Sequence, residues 1–363
     1  MKKVALATQM IEKRIAHADH LLAGIPGERQ LAEELGLSRT TVRTAVQQLM
    51  ERGTLVRQDN GRLNVATPAG GLRKQTIGFV TPAGASADFD EWREGVQGVL
   101  EGHQVTLRPV SYAHWADNAI QEALSGFDGM YFIPIDEKIP SWLASKMLDL
   151  RCRVVVLDQD ESAAGLPSVT LFPEEAENKL FNHLTNLGHR RIDCLNTQGE
   201  DAVVRGRIEV WRQYIESHGL AGQLRSSTER RPIDAAYQVI RDALKEGRPV
   251  ASALFCTTGP AAIGAMRALQ EAGLEIGRDV SVCAVNSEGI GRYLLRSLTA
   301  LEAPPRTLYL RQVSEWMLGE DEWQGPRLIQ PEDVPLFEGE STGPAPASPI
   351  VTPTFGLKMK PDN

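Results

Sequence analysis

The stretch GLSRTTVRTAVQQL, residues 36–49, has two halves of different character. Val42, Ala45, Val46 and Leu49 recur at i, i+3, i+4 and i+7, which gives a helix one apolar face to bury. Ahead of and between them, Ser38, Arg39, Thr40, Thr41 and Arg43 bring hydroxyls and positive charge that this face does not use. Ser38 suits the N-cap, because its side-chain oxygen can take a first-turn amide. Upstream, ERQLAEEL (residues 28–35) sets Leu31, Ala32 and Leu35 on one helical face. Gly36 ends that helix, since glycine accepts the left-handed conformation of a tight stop. Two short helices joined by a few residues form a helix-turn-helix. In such a unit the start of the second helix enters the major groove of DNA. There an arginine can fork to guanine and a threonine can offer hydroxyl and methyl contacts. The helix start itself favours phosphate. The structural alternative is a plain helical hairpin.

The next residues favour the DNA reading. TLVRQDNGRLNVA (residues 54–66) reads as strand, Asn60-Gly61 turn and strand, with Arg57 and Arg62 near the tip. Asn-Gly between alternating residues is a strong hairpin signal. A basic hairpin directly after a helix-turn-helix is a wing. Charge agrees: residues 1–74 hold 12 Lys/Arg against 7 Asp/Glu, whereas the remainder holds 27 against 40. A basic head on an acidic body fits a nucleic-acid reader joined to a regulatory domain.

IPGERQLAEELGLSRTTVRTAVQQLMERGTLVRQDNGR, residues 25–62, resembles the winged helix-turn-helix of the GntR family of bacterial transcription regulators. The resemblance implies DNA contacts from Arg29, from Ser38, Arg39, Thr40, Thr41 and Arg43, and from the wing residues Gly61 and Arg62. Residues 1–66 are therefore expected to bind double-stranded operator DNA.

TPAGGLRKQT (residues 67–76) has Pro and Gly and no periodicity, so 67–75 reads as a linker. Beyond it, strand-like runs appear at TIGFV, QVTLRPV, GMYFIPI, RVVVLD, SVTLF, RIDCLN, ASALFC and SVCAVN. Helical patterns lie between most of them, such as residues 89–101, 176–187, 207–219, 234–247 and 260–273. Alternating strands and helices indicate parallel sheets covered on both faces. A region this long implies two lobes, so the fold class is α/β: a winged helix-turn-helix head on a two-lobed, doubly wound parallel α/β body. Ligands of such folds bind at the carboxyl ends of strands.

LGHRRI (187–192), ALQEAGLEIGRDVSV (268–282), SLTAL (297–301) and ESTGP (340–344) make the body resemble the LacI/GalR effector domain, which is periplasmic-binding-protein-like. ESTGP matches that family's closing strand. The resemblance implies an effector-binding and dimerisation domain over 76–342, a homodimer, and a small-molecule effector such as a sugar. It places Asp158 and Arg207 at the ligand, with Thr258 and Asn286 at positions where the residue types depart from the family's. The departures are Thr257–Thr258–Gly259, Val285–Asn286–Ser287 and Phe172–Pro173, each lacking an expected carboxylate or amide. Phe89, Trp92 and Trp115 could stack on a sugar, but aromatics on amphipathic helices are usually core. Arg207 has a bland alternative, a surface ion pair with Glu209 or another acid.

No P-loop, Gly-x-Ser-x-Gly elbow or complete dinucleotide fingerprint occurs; GIGRYL (289–294) lacks a third glycine. The seven histidines show no metal spacing, and His189 in the LGH turn reads as structural. No cofactor or metal is expected. Cys152, Cys194, Cys256 and Cys283 lie far apart in apolar runs and read as buried thiols. No run is long enough for a membrane span, and Thr8, Gln9 and Glu12 interrupt the N-terminus too early for a signal peptide. These readings favour a cytoplasmic repressor over a carbohydrate-acting enzyme with a DNA-binding head or a periplasmic transport receptor. The Pro-, Ser- and Thr-rich tail, 343–363, is expected to be disordered.

Overall fold

The computed structural model describes residues 2–16, 25–57, 63–65, 75–84, 86–135, 137–173, 175–199, 202–227, 231–248 and 250–347. The chain packs into two compact units. The first takes Met1–Ile135, Ile139–Val169 and Tyr309–Ile329; the second takes Asp136–Lys138, Thr170–Leu308 and Gln330–Asn363.

The head begins with α1 (Lys2–Ala16), α2 (Glu28–Leu35) and α3 (Arg39–Glu51). Gly36 is left-handed (φ 63°, ψ 29°) and its amide returns to the end of α2, as the tight stop requires. The expected face of α3 is the buried one: Val42, Ala45, Val46 and Leu49 pack with Ala7 and Ile11 of α1 and Leu31 of α2. Leu55 and Leu63 complete this core from β1 (Leu55–Arg57) and β2 (Leu63–Val65). The strands pair antiparallel, Leu55 with Val65 and Arg57 with Leu63. That register leaves five linking residues, 58–62, where a two-residue Asn60-Gly61 turn would leave an even number. The turn itself lies outside the described residues.

The first unit continues with β3 (Gln75–Pro82), α4 (Ala87–Leu100), β4 (Val105–Tyr112), α5 (Asn118–Gly126), β5 (Gly129–Phe132), α6 (Ser141–Asp149), β6 (Arg153–Leu157) and β7 (Ser168–Val169). The chain then enters the second unit with α7 (Asn178–Asn186), β8 (Ile192–Asn196), α8 (Ala202–Ser217), β9 (Leu224–Ser226), α9 (Pro232–Lys245), β10 (Ala253–Cys256), α10 (Gly259–Glu271), β11 (Ser281–Ala284) and β12 (Thr299–Leu301). It returns to the first unit for α11 (Arg306–Leu318), most of which belongs there, and β13 (Leu328–Ile329), and closes in the second with β14 (Leu336–Phe337).

The two sheets have one order. The first runs β4-β3-β5-β6-β7-β13 and is parallel throughout. The second runs β9-β8-β10-β11-β12-β14 and is parallel except for its last pair. In each, strand order reverses beside the first strand, at β3/β5 and at β8/β10. The loops at the carboxyl ends there are where an open α/β sheet accepts ligand. All eight expected strands are present. The unforeseen β9 is an edge strand whose buried residue is Arg225, held by both Nε and Nη2 on the fully buried carboxylate of Asp193 in β8 (3.1 and 2.9 Å). An apolar pattern could not reveal a strand anchored by an ion pair.

ESTGP is not a strand; the closing strand is β14, a few residues earlier. Residues 339–345 instead form a strap across the second unit. Ser341, fully buried, donates to Val282 O (2.6 Å) and accepts from Thr299 N (2.8 Å). His189, also fully buried, meets Ser252 Oγ at 2.8 Å, Ser281 Oγ at 3.0 Å and Gly343 O at 3.1 Å. Ala345 N donates to Leu187 O (2.8 Å). These bonds keep 343–345 in order, against the expectation that disorder starts at 343; residues 348–363 lie outside the described residues. His189 is structural, as expected, and the four cysteines are free and buried. Burial pushes the Cys152 thiol up to about 12. Among the described residues no helix is long and apolar enough to cross a membrane.

Candidate nucleic-acid interface and effector site

In the head, Ser38 is extended (φ −66°, ψ 146°) and its hydroxyl accepts from Thr41 N at 3.2 Å, the expected cap. The two hydroxyls also meet, Ser38 Oγ to Thr41 Oγ1 at 2.7 Å. Ser38 and Thr41 therefore build the turn, while Arg39, Thr40 and Arg43 stand exposed on it. Elsewhere in the head, arginines are paired: Arg14 with Glu34 (2.5 Å), Arg57 with Glu28 (2.8 Å) and Arg52 with Glu12 (3.5 Å). Arg39 and Arg43 form no ion pair among the described residues. Arg29 meets Glu33 at 3.3 Å, with both side chains more than two-thirds exposed, a contact worth little and easily given up. The first turn of α3 has no acidic residue and opens on Arg39. A cation at a helix start works against the helix dipole by about 0.3–1 kcal/mol. Helix stability thus gives no reason for Arg39, whereas a polyanion does. Gly61 and Arg62 lie outside the described residues.

The effector candidates divide between the units. In the first, Asp158 ends β6 in the left-handed region (φ 68°), and its amide donates to Val169 O. A non-glycine residue held there is strained by about 1–3 kcal/mol, and such strain gathers at functional sites. Phe89 is half-buried near the start of α4. Trp92 is fully buried, and Trp115 joins the stacked cluster of Tyr112 and Phe132, so both tryptophans are core, as aromatics on such segments usually are.

In the second unit, Arg207, Thr258 and Asn286 meet around β10. Arg207 Nη1 donates to Thr257 O at 2.9 Å, and its Nε lies 3.7 Å from Glu177 Oε1. The two side chains are 11% and 6% exposed, so this is a buried pair. Of the bland alternative, the ion pair is present but with another acid: Glu209 pairs with Arg212 (2.7 Å), and Arg207 meets Glu177 inside the fold instead of at the surface. Arg207 also lies over the Phe172 ring, 5.8 Å from its centroid. Thr258 caps α10 in position but without a side-chain bond. Asn286 Oδ1 accepts from Glu288 N (2.9 Å), which turns the loop after β11. Sequence reasoning missed Asn196, which ends β8 and is 1% exposed. Its Oδ1 accepts from Gln198 N (3.2 Å) and Thr257 Oγ1 (2.9 Å). The signal was a polar residue closing an apolar strand.

Residues 6–65 match the family described as bacterial regulatory proteins, gntR family, and residues 181–317 match the periplasmic binding protein-like domain. The chain joins a gntR-family head to a periplasmic binding protein-like body. It is a DNA-binding transcription regulator of this two-part layout. An arabinose metabolism transcriptional repressor of Halalkalibacterium halodurans is 22% identical over 334 residues, covering 83% of this chain and 85% of that protein. The HTH-type transcriptional regulator GalR of Streptococcus thermophilus is 22% identical over 198 residues, 53% of this chain and 57% of that protein. This chain thus spans little more than half of that relative's length. A solved LacI family transcriptional regulator from Bifidobacterium animalis subsp. lactis shares the body's fold, with a TM-score of 0.64 at 17% identity over 76% of this chain and all of that one.

Proposed function

We propose that the gntR-family regulator described here is a cytoplasmic homodimeric repressor that reads a two-fold operator and releases or holds it according to a small-molecule effector. Residues 1–66 read DNA, 67–75 link, and 76–342 sense and dimerise. The observation that carries this reading is the pair Arg39 and Arg43, exposed on a capped helix start and without ion pairs among the described residues, in a head whose other described arginines are engaged. Two heads related by a two-fold axis suit half-sites one helical turn apart. Arg29, Ser38, Thr40, Thr41, Gly61 and Arg62 complete the DNA surface. Asp158 and Phe89 near the strand ends of the first unit, and Arg207, Thr258 and Asn286 near those of the second, are the effector-binding candidates. An effector acts only through a difference in affinity between the DNA-binding and released states.

The test is selection of bound duplexes from a random pool by the full-length protein, followed by titration of the selected site. A two-fold consensus is expected, and Arg39→Ala or Arg43→Ala should each weaken binding by about 1–3 kcal/mol at constant salt, with unfolding unchanged. Wild-type affinity in both variants would remove this surface from the reading.

A further inference from the structure

The start of α10 leaves one buried hydroxyl without a partner among the described residues. Thr258 occupies the N-cap position in an extended conformation (φ −146°, ψ 159°), where a threonine ordinarily takes a first-turn amide, yet it makes no capping bond. The residue is 7% exposed, and its Oγ1 is buried with no hydrogen-bond partner. Buried hydroxyls are nearly always satisfied, so this one calls for a partner from outside the chain. The amides agree. Ala262 N reaches Thr258 O at 3.3 Å and Pro260 has no N–H, so the amides of Gly259 and Ala261 stand ahead of the helix's own i to i−4 ladder.

The surroundings set the sign of the ligand. α10 has no acidic residue in its first turn, so nothing on the helix neutralises its positive end. The two strand ends that meet here, Thr257–Thr258–Gly259 and Val285–Asn286–Ser287, contain no carboxylate. They meet closely: a Cβ on Gly259 would lie 2.6 Å from Asn286 O, so only glycine fits. Arg207 bonds the carbonyl of Thr257, one residue before the cap. The acidic residues of the adjoining segments are Glu177, which Arg207 pairs, and Glu288.

We infer that the Thr258 hydroxyl and the start of α10 receive an oxyanion, so that the effector is an anionic small molecule, a carboxylate or a phosphate ester, rather than a neutral one. This rests on the effector-sensing reading above and names the ligand class for it. Carboxylate and phosphate share the needed chemistry: negative oxygens that accept both amide and hydroxyl hydrogens.

The experiment titrates the full-length protein with glucose, glucuronate, glucose 6-phosphate and inorganic phosphate, by calorimetry and by thermal unfolding. One of the anions should bind at least about tenfold tighter than glucose, and Thr258→Val should weaken it about tenfold. Whether glucuronate or the phosphates bind tells carboxylate from phosphate. Thr258→Asp separates binding from folding, because aspartate is a good N-cap at a positive helix end. Its unliganded Tm should equal or exceed wild type while anion binding is lost. The inference is overturned if glucose binds as tightly as the anions. It also fails if Thr258→Asp leaves anion binding intact, or if no anion binds by about 10 mM, the weak limit of a useful effector site. Operator binding by the wild type, measured on the same preparation with and without each ligand, reports separately on the regulator reading: its absence under every condition sinks that reading whatever the anions do.

Discussion

Two arginine sites in this molecule have opposite fates. Arg39 and Arg43 stand in solvent at the start of α3 with no ion pair among the described residues, whereas Arg207 is buried between Glu177 and the carbonyl of Thr257. Both lie near the first turns of helices in stretches rich in polar residues. What differs is the neighbouring carboxylate. The first turn of α3 has none, while Glu177 lies 3.7 Å from Arg207 of α8. An arginine left unpaired in water is available to an external anion at little cost. One already neutralised inside the fold must first be released, and its charge is screened from a ligand by its own partner.

The largest effect should come from the buried site. Arg207→Ala removes the guanidinium 3.7 Å from the buried Glu177 carboxylate, and loss of one partner of a buried pair typically destabilises by about 3–5 kcal/mol. Denaturant unfolding of the variant should show a loss on that scale, against a change within about 0.5 kcal/mol for the exposed Arg39→Ala. The double variant Arg207→Met, Glu177→Leu should regain most of it, since well-packed apolar residues can replace a buried pair. An Arg207→Ala protein as stable as wild type would end the contrast.

A smaller effect belongs to the cap that presents the free arginines. Ser38→Ala removes the bond to Thr41 N and should cost about 1 kcal/mol, read from head unfolding. Ser38→Asp should keep the cap yet weaken operator binding, because its carboxylate faces the same phosphates. If the aspartate variant bound DNA as well as wild type, the cap would lie outside the interface.

The smallest effect concerns acid. Burial holds His189 below its ordinary pKa of 6.5, so the unfolded chain takes up the proton more readily than the folded one. The stability His189 contributes is complete above that pKa and is lost as pH falls from it toward the lower folded-state value. His183, which meets Thr342 of the same strap at 2.9 Å, is shifted the same way by burial, with Glu338 opposing. Hydrogen exchange should show amides of 339–345 opening sooner near pH 5 than near pH 7.5, and His189→Asn should flatten that dependence. Equal protection at both values would mean that the strap is held without regard to these imidazoles.

The head was legible because its information is local. An i, i+3, i+4, i+7 face, a serine cap and a left-handed glycine all act within one or two turns, and Val42, Ala45, Val46, Leu49, Ser38 and Gly36 do what their spacing implies. The buried strands were legible for a similar reason, as short apolar runs bounded by breaks. The parts that stayed hidden depend on partners far along the chain. β9 exists because Arg225 finds Asp193, 32 residues away; Ser341 closes the strap on Val282, 59 residues away; Arg207 turns inward because Glu177 and Thr257 are waiting there. Apolar periodicity reports which face will be buried, since that depends on the helix or strand alone. Which carboxylate a buried arginine meets, and which hydroxyl a helix start leaves without a partner, is settled only when distant segments are brought together, because a polar group's energy depends on the one atom it touches.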